Sequence, residues 1–317
     1  MNPPSVSLVI SLYNEEAGAY NFWTDLRSAL SPLTDFQFEI IWVNDGSTDN
    51  TQRVIERIIS EDCPPHLSHQ PIEFSRNFGH EAAIIAGIDH STGDAVICMD
   101  SDGQHPPLHI QHMVRAFQDG SDIVLMERGS REDNGLIKNM MSSAFYRCIN
   151  LLSAIRFENN ATDFFLISSE VAEVLRSNYR ERNRFIRGFI QSVGFNSTKI
   201  PFEAPARQYG ASNYSFIKLV KLAVNAIFTF SSVPLRISIF FSVAFIALTT
   251  LLGGYSLYMY WFGTTPPSGY TTIVLFLSFS FSLLFFTLAI LSAYFEKMIQ
   301  ETRSRPVYII KKRKRND

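Results

Sequence analysis

Residues 95–104 read A-V-I-C-M-D-S-D-G-Q. Five apolar residues with no polar alternation describe a strand buried on both faces. The D-S-D-G-Q that stops it places two carboxylates and an amide at the strand's carboxyl end. The same pattern recurs outward from this point. Ser5–Ser11 is a β-rich run followed by Tyr13-Asn14-Glu15-Glu16, and Phe38–Asn44 is followed by Asp45-Gly46-Ser47-Thr48-Asp49. Pro71–Ser75 predicts a weaker strand and Asp122–Met126 a further one. Helical spacing covers about Glu15–Leu30 and residues 50–60, 79–91 and 107–118. Apolar strands alternating with helices predict an α/β domain, a Rossmann-like, mostly parallel sheet covered on both faces. Such sheets bind ligands beyond the carboxyl ends of their strands, so the three polar clusters are expected on one rim.

The residue types on that rim suit a divalent cation and a phosphorylated ligand. Asp100 and Asp102 offer hard carboxylate oxygens, and Gln104 a neutral one, for Mg²⁺ or Mn²⁺, which also bridges phosphates. Asp45 can accept hydrogen bonds from a base or ribose; its ordinary alternative is an Asx-turn within D-G-S-T-D. No G-x-x-x-x-G-K-[ST] segment is present, which excludes a P-loop NTPase, and no G-x-G-x-x-G follows the first strand. His105, His109 and His112 have helical spacing, but Pro106 and Pro107 intervene and no ligand on the same helix completes a zinc set.

The charges divide the chain. Its 317 residues carry a net charge of −2, but residues 1–231 carry −8, residues 232–295 only Arg236, and residues 296–317 carry +5. Ile237–Tyr260 and Thr271–Phe295 are uncharged runs of 24 and 25 residues. At about 1.5 Å per residue each exceeds the roughly 30 Å hydrocarbon core of a bilayer. With the turn Trp261–Tyr270 between them they predict a transmembrane hairpin; the alternative is a pair of buried core helices. Lys218, Lys221 and Arg236 before the first span, and Lys297, Arg303, Arg305 and Lys311–Arg315 after the second, put both flanks on the cytoplasmic side. The basic tail suits anionic headgroups or serves as a topology signal alone. Phe216–Ser231 has an apolar helical stripe expected to lie on the membrane surface, or else to pack on the soluble domain. Three cysteines without paired spacing indicate a reducing compartment, and nucleic acid is not an expected partner beside two spans.

The series Y-N-E-E, V-N-D-G-S-T-D-N-T, S-R-N-F-G-H-E-A-A-I-I-A-G-I, D-S-D-G-Q-H-P-P, A-T-D-F, R-F-I-R-G and R-Q-Y-G-A-S-N-Y, followed by two apolar spans, resembles the family 2 glycosyltransferases. The resemblance is to their polyprenyl-phosphate branch, the dolichyl-phosphate mannose synthase relatives and the bacterial undecaprenyl-phosphate glucosyltransferases, and it covers nearly the whole chain. It implies a GT-A fold and inverting transfer from a nucleotide diphosphate sugar, with a UDP-linked donor expected, to a polyprenyl phosphate. The acceptor would be undecaprenyl phosphate in a bacterium. It also implies Tyr13, Asn14, Glu15, Asp45 and Asp100 as nucleotide-sugar contacts and Asp100, Asp102 and Gln104 as metal ligands. Asp163, Arg187 and Arg207 become catalytic candidates, and Arg184, Arg207 and Ser212 acceptor-phosphate contacts. The expected organisation is a cytoplasmic catalytic domain over 1–215, an interfacial helix over 216–231, a hairpin over 232–295 and a basic tail over 296–317. The location is a bacterial inner membrane with both termini cytoplasmic, and the relatives suggest self-association. Three positions depart from the family pattern: Ser11 in place of Pro, read as a backbone nuance, and Phe165 and Asn213 where basic residues are usual. The competing expectations are a polysaccharide synthase, although no Q-x-x-R-W segment occurs, and a silent membrane protein that binds nucleotide sugar.

Overall fold

The computed structural model describes residues 3–129, 161–180, 186–203, 205, 233–262, 269–303 and 305–311. Strands β1 (Ser5–Leu12), β2 (Gln37–Asn44), β3 (Leu67–Glu73), β4 (Ala95–Asp100), β5 (Ile123–Arg128), β6 (Ala161–Ser168) and β7 (Ser197–Phe202) form one sheet. Its spatial order is β3-β2-β1-β4-β6-β5-β7. Every pairing is parallel except those of β6, which runs antiparallel to both β4 and β5. The mostly parallel sheet expected from the apolar runs is therefore present. Its strand order reverses between β1 and β4, which opens a crevice at their carboxyl ends.

The helices of this unit are α1 (Ala19–Leu30), α2 (Thr51–Ile59), α3 (His80–His90), α4 (Ile110–Gln118), α5 (Ser169–Asn178) and α6 (Ile186–Ser192). Both faces of the sheet are covered. Val6, Leu8 and Ile10 of β1 share a core with Trp23 and Leu26 of α1, Ile55 of α2 and Met113 of α4. On the opposite face α3 packs so close that a Cβ at Gly87 would lie 2.0 Å from Val9 Cγ1. The run Ala82–Ile88 is buried throughout, which explains why its sequence lacks an amphipathic stripe.

β3 lies at Leu67–Glu73 rather than at the expected Pro71–Ser75. Its sequence, L-S-H-Q-P-I-E, alternates weakly because it is an end strand of the sheet. Such a position also tolerates Pro71, which has no N–H to donate.

The second unit, within Ser215–Ser304, contains α7 (Val233–Phe262) and α8 (Tyr270–Thr302). Leu235–Tyr255 and Leu275–Ile299 are long and apolar enough to cross a membrane, with mean hydropathy 2.1 and 2.2. Only 6% of each stretch is buried within the protein, which argues against the alternative of core helices. The second helix runs to Thr302, beyond the expected end at Phe295. Arg305–Lys311 groups with the sheet domain, not with the hairpin. The expected interfacial helix at 216–231, most of the turn between the spans and the basic residues 312–315 lie outside the described residues.

Candidate active site

Three strand ends build the rim. β1 and β2 pair in parallel with Leu12 opposite Asn44, so the segments that follow them leave side by side. They are knitted together. Asn14 has φ +55°, a left-handed conformation that Asn tolerates. Its Oδ1 accepts from the Thr48 backbone N–H (2.8 Å) and its own N–H donates to Ser47 Oγ (3.0 Å). The Glu15 N–H donates to Thr51 Oγ1 and the Asn50 amide to Glu16 Oε1, both at 2.9 Å. Tyr13 remains 45% exposed at this rim.

Asp45 is turned inward and is only 2% exposed. Its two oxygens accept from the backbone N–H groups of Phe78 (2.6 Å) and Gly79 (2.9 Å). Burial pushes its carboxyl up, and these two donors pull it back. Asp45 therefore fixes the Ser75–Gly79 loop whatever else it contacts. Gly46 beside it has φ +63°, and a Cβ there would lie 2.2 Å from the Arg76 carbonyl carbon, so this turn requires glycine.

At the switch point Ser11 of β1 stands in register with Asp100 of β4. The Ser11 hydroxyl donates to Asp100 Oδ1 (3.0 Å) and lies 3.1 Å from His80 Nδ1. Ser11 is therefore part of the site, which corrects its reading as a backbone nuance. His80, at the start of α3, bridges the crevice. Its Nδ1 is 3.6 Å from Asp100 Oδ1 and its Nε2 is 3.3 Å from Asp163 Oδ2. Burial works against a charged His80, but Asp100 and Asp163 outweigh it and raise its pKa to about 9. Next to it Glu81 accepts from the Ile186 N–H (3.4 Å), and burial followed by the charge of Asp163 raises its carboxyl to about 7.

Asp163 on β6 accepts from Arg187 Nε (2.6 Å) and Arg187 Nη2. Burial alone would raise its carboxyl, but Arg187 and His80 reverse the effect and hold it well below the usual carboxylate range. A continuous polar chain thus runs Arg187–Asp163–His80–Asp100, with Ser11 attached. His80 was not singled out from sequence, and Ser11 was noted only as a departure from the family pattern. The signal available was that H-E-A-A begins a helix directly after a loop ending at the rim.

The metal candidates share one turn but have different partners. Asp100 keeps a 27% exposed carboxylate at the crevice. Asp102 accepts from the Gln104 backbone N–H (3.0 Å) in a tight turn. Gln104 Oε1 accepts from Arg128 (3.1 Å), which ties this turn to the end of β5. Asp100 and Asp102 still supply the hard oxygens a divalent cation prefers. Among the described residues, His80, Asp100 and Asp163 also bring ligand atoms within 4.8 Å of one another. His105 is 6% exposed, its Nδ1 accepts from the Asp100 N–H (2.8 Å), and its ring stacks on Phe164. It is a core residue that positions Asp100.

Phe165, where a basic residue is usual, is fully buried in β6 opposite Cys98 and Leu125. It faces the core, so its lack of charge removes nothing from the crevice. Arg184, Arg207, Ser212 and Asn213 lie outside the described residues.

The chain is similar to several known proteins. Residues 7–176 match the profile of Glycosyl transferase family 2. The bactoprenol glucosyl transferase of Shigella phage SfX is 33% identical over 309 residues, which cover 98% of this chain and 99% of that protein. A prophage bactoprenol glucosyl transferase homolog of Escherichia coli K12 is 32% identical, with 98% and 99% covered. Among solved structures, a glucosyl-3-phosphoglycerate synthase of Mycobacterium tuberculosis aligns with TM-score 0.44 and 18% identity over 71% of this chain and 78% of that one.

Proposed function

The chain belongs to glycosyl transferase family 2, and from that membership we propose that it moves a sugar, with inversion, from a nucleotide diphosphate sugar to a polyprenyl phosphate in a bilayer. The observation that carries this is the extent of the likeness to the bactoprenol glucosyl transferases. It spans 98% of this chain, rim and apolar helices together. A polyprenyl phosphate cannot leave the bilayer, so a transferase that uses it needs both an aqueous donor site and a membrane anchor.

The chemistry asks for little acid–base catalysis. The attacking oxygen belongs to a phosphate monoester whose second pKa is about 6, so it is largely ionised at neutral pH. Catalysis then rests on placing the acceptor and on stabilising charge on the leaving diphosphate. Asp100 and Asp102 would hold a divalent cation, Mg²⁺ or Mn²⁺, which supplies positive charge at the diphosphate when bound. Tyr13, Asn14, Glu15 and Asp45 would line the nucleotide side, with Tyr13 under the base. Asp163 holds the Arg187 fork and His80 in fixed orientations. Both place positive charge at the crevice. Arg184, Arg207 and Ser212 would receive the acceptor phosphate. The placing of positive charge on both flanks of the hairpin supports a cytoplasmic catalytic domain over 1–215 and cytoplasmic termini. Self-association of the protein also belongs to this proposal.

The test uses the full-length chain in lipid nanodiscs with undecaprenyl phosphate, Mg²⁺ or Mn²⁺ and a panel of labelled UDP- and GDP-sugars, UDP-glucose first. Label in a lipid extract is expected. Label in polymer would instead indicate a polysaccharide synthase, and binding of donors without transfer would indicate a silent sugar-nucleotide binder.

A further inference from the structure

The segment P306-V-Y-I-I-K311 follows α8 and returns to the sheet domain. Ile310 forms an antiparallel bridge with Phe74, one residue beyond β3. The Ser75 N–H donates to the Ile309 carbonyl (2.9 Å) and the Lys311 N–H to the Glu73 carbonyl (2.8 Å). The Lys311 ammonium lies 2.6 Å from Glu73 Oε1, so the first cation of the basic run is already paired within the protein.

Tyr308 is the centre of this contact. Its ring stacks on Phe74 with centroids 5.2 Å apart and planes 10° apart. Its hydroxyl donates to Asp89 Oδ2 (2.9 Å), and Asp89 also receives both terminal nitrogens of Arg180 (2.7 and 3.1 Å). Burial and the neighbouring Asp89 carboxylate push the phenol well above its ordinary pKa, so it remains a donor. Phe74 in turn meets Phe78 edge to face at 5.7 Å.

The two grips bracket one stretch of chain. Phe74 immediately precedes the Ser75–Gly79 loop, and Asp89 sits in the last turn of α3. Between them lie Phe78 and Gly79, held by Asp45, and then His80 and Glu81 at the crevice. We propose that Val307–Lys311 is a strap that sets the geometry of the transfer site, with Tyr308 as a positioning residue acting through Phe74 and Asp89 on His80. Covering the exposed end of an edge strand is one gain. The larger one is that α3 is clamped at its far end as well as at the rim. This rests on the crevice being the transfer site.

Three full-length proteins in nanodiscs test it: wild type, Tyr308→Ala and Tyr308→Phe. Tyr308→Ala removes the stack and the Asp89 bond. It is expected to lower kcat roughly 10- to 100-fold, the scale of a misplacement of up to about 1 Å, with donor KM changed less than about 3-fold. Tyr308→Phe keeps the stack and should recover most of that loss. Amide hydrogen exchange at residues 75–80 should quicken in Tyr308→Ala and stay near wild type in Tyr308→Phe. Wild-type kcat and wild-type exchange in Tyr308→Ala would overturn the proposal. So would a lowered melting temperature with full kcat in the folded fraction, which would make the strap structural only. If Tyr308→Ala fails to fold, Tyr308→Phe decides by itself. It must then show a measurable kcat loss and faster exchange near Asp89, and wild-type values for both would overturn the strap. Should wild-type protein make no lipid-linked sugar, the assigned function fails, while the exchange measurement still decides the strap.

Discussion

Asp163→Asn is the sharpest perturbation of the crevice, because it keeps the shape of the side chain and removes its charge. Asp163 accepts two hydrogen bonds from Arg187 and faces His80 Nε2 at 3.3 Å, with 14% of its side chain exposed. At an effective dielectric of about 20, opposite charges ~3 Å apart attract by roughly 5 kcal/mol before desolvation is counted. Removing one partner of a buried pair usually costs about 3–5 kcal/mol. Arg187 is 34% exposed, however, so solvent screening lowers the expectation to about 2–3 kcal/mol. The Asp163 carboxyl is held well below its usual range, so its contribution is fully present at neutral pH and disappears only as pH falls through that lowered value. A double-mutant cycle with Arg187→Gln isolates the pair. Unfolding by guanidinium can be followed through Trp23 and Trp42, both buried in the sheet domain. The coupling energy should be about 2 kcal/mol, and each single variant should lose transfer roughly 100-fold with donor affinity little changed. A coupling below about 0.5 kcal/mol together with wild-type turnover would refute the reasoning and reduce Asp163 to a surface carboxylate.

Asp102→Asn should abolish transfer and divalent-cation-dependent donor binding while the protein folds and inserts normally; unchanged turnover would sink the metal assignment. Glu81 is raised from 4.5 to about 7 in the folded state. Its stabilising proton is therefore fully present below about pH 4.5 and lost as pH rises through 7, a change of up to about 3 kcal/mol. Wild type compared with Glu81→Gln across pH 4.5–7.5 should show that fall, and two parallel stability curves would contradict it. Phe165→Arg should destabilise the sheet by about 4 kcal/mol or more rather than improve phosphate binding, because the position is fully buried between Cys98 and Leu125. A folded, more active Phe165→Arg in the thermal-unfolding and transfer assays would show that the side chain reaches the crevice.

The separation between what sequence reveals and what it hides follows from range. Apolar runs stopped by Y-N-E-E, D-G-S-T-D and D-S-D-G-Q are local signals, and they sufficed for the parallel sheet and for a rim of polar strand ends. Two long uncharged runs likewise announced helices able to cross a membrane, because hydrocarbon demands apolar residues along the whole length. What the rim residues do to one another could not be read this way. Asp163 meets Arg187, 24 residues on, and His80, 83 residues back, only because β6 enters the sheet antiparallel beside β4. Asp163 and Phe165, two residues apart, share one side of β6, but the pairing buries Phe165 between Cys98 and Leu125 and leaves Asp163 nearer the carboxyl end of β4, at the crevice. Ser11 gains its role from its register with Asp100, and Tyr308 from a contact with Phe74 across more than 200 residues of chain. Periodicity encodes which residues avoid water. Which polar groups then share one crevice depends on strand order and on where the chain ends return, and only the tertiary structure fixes those.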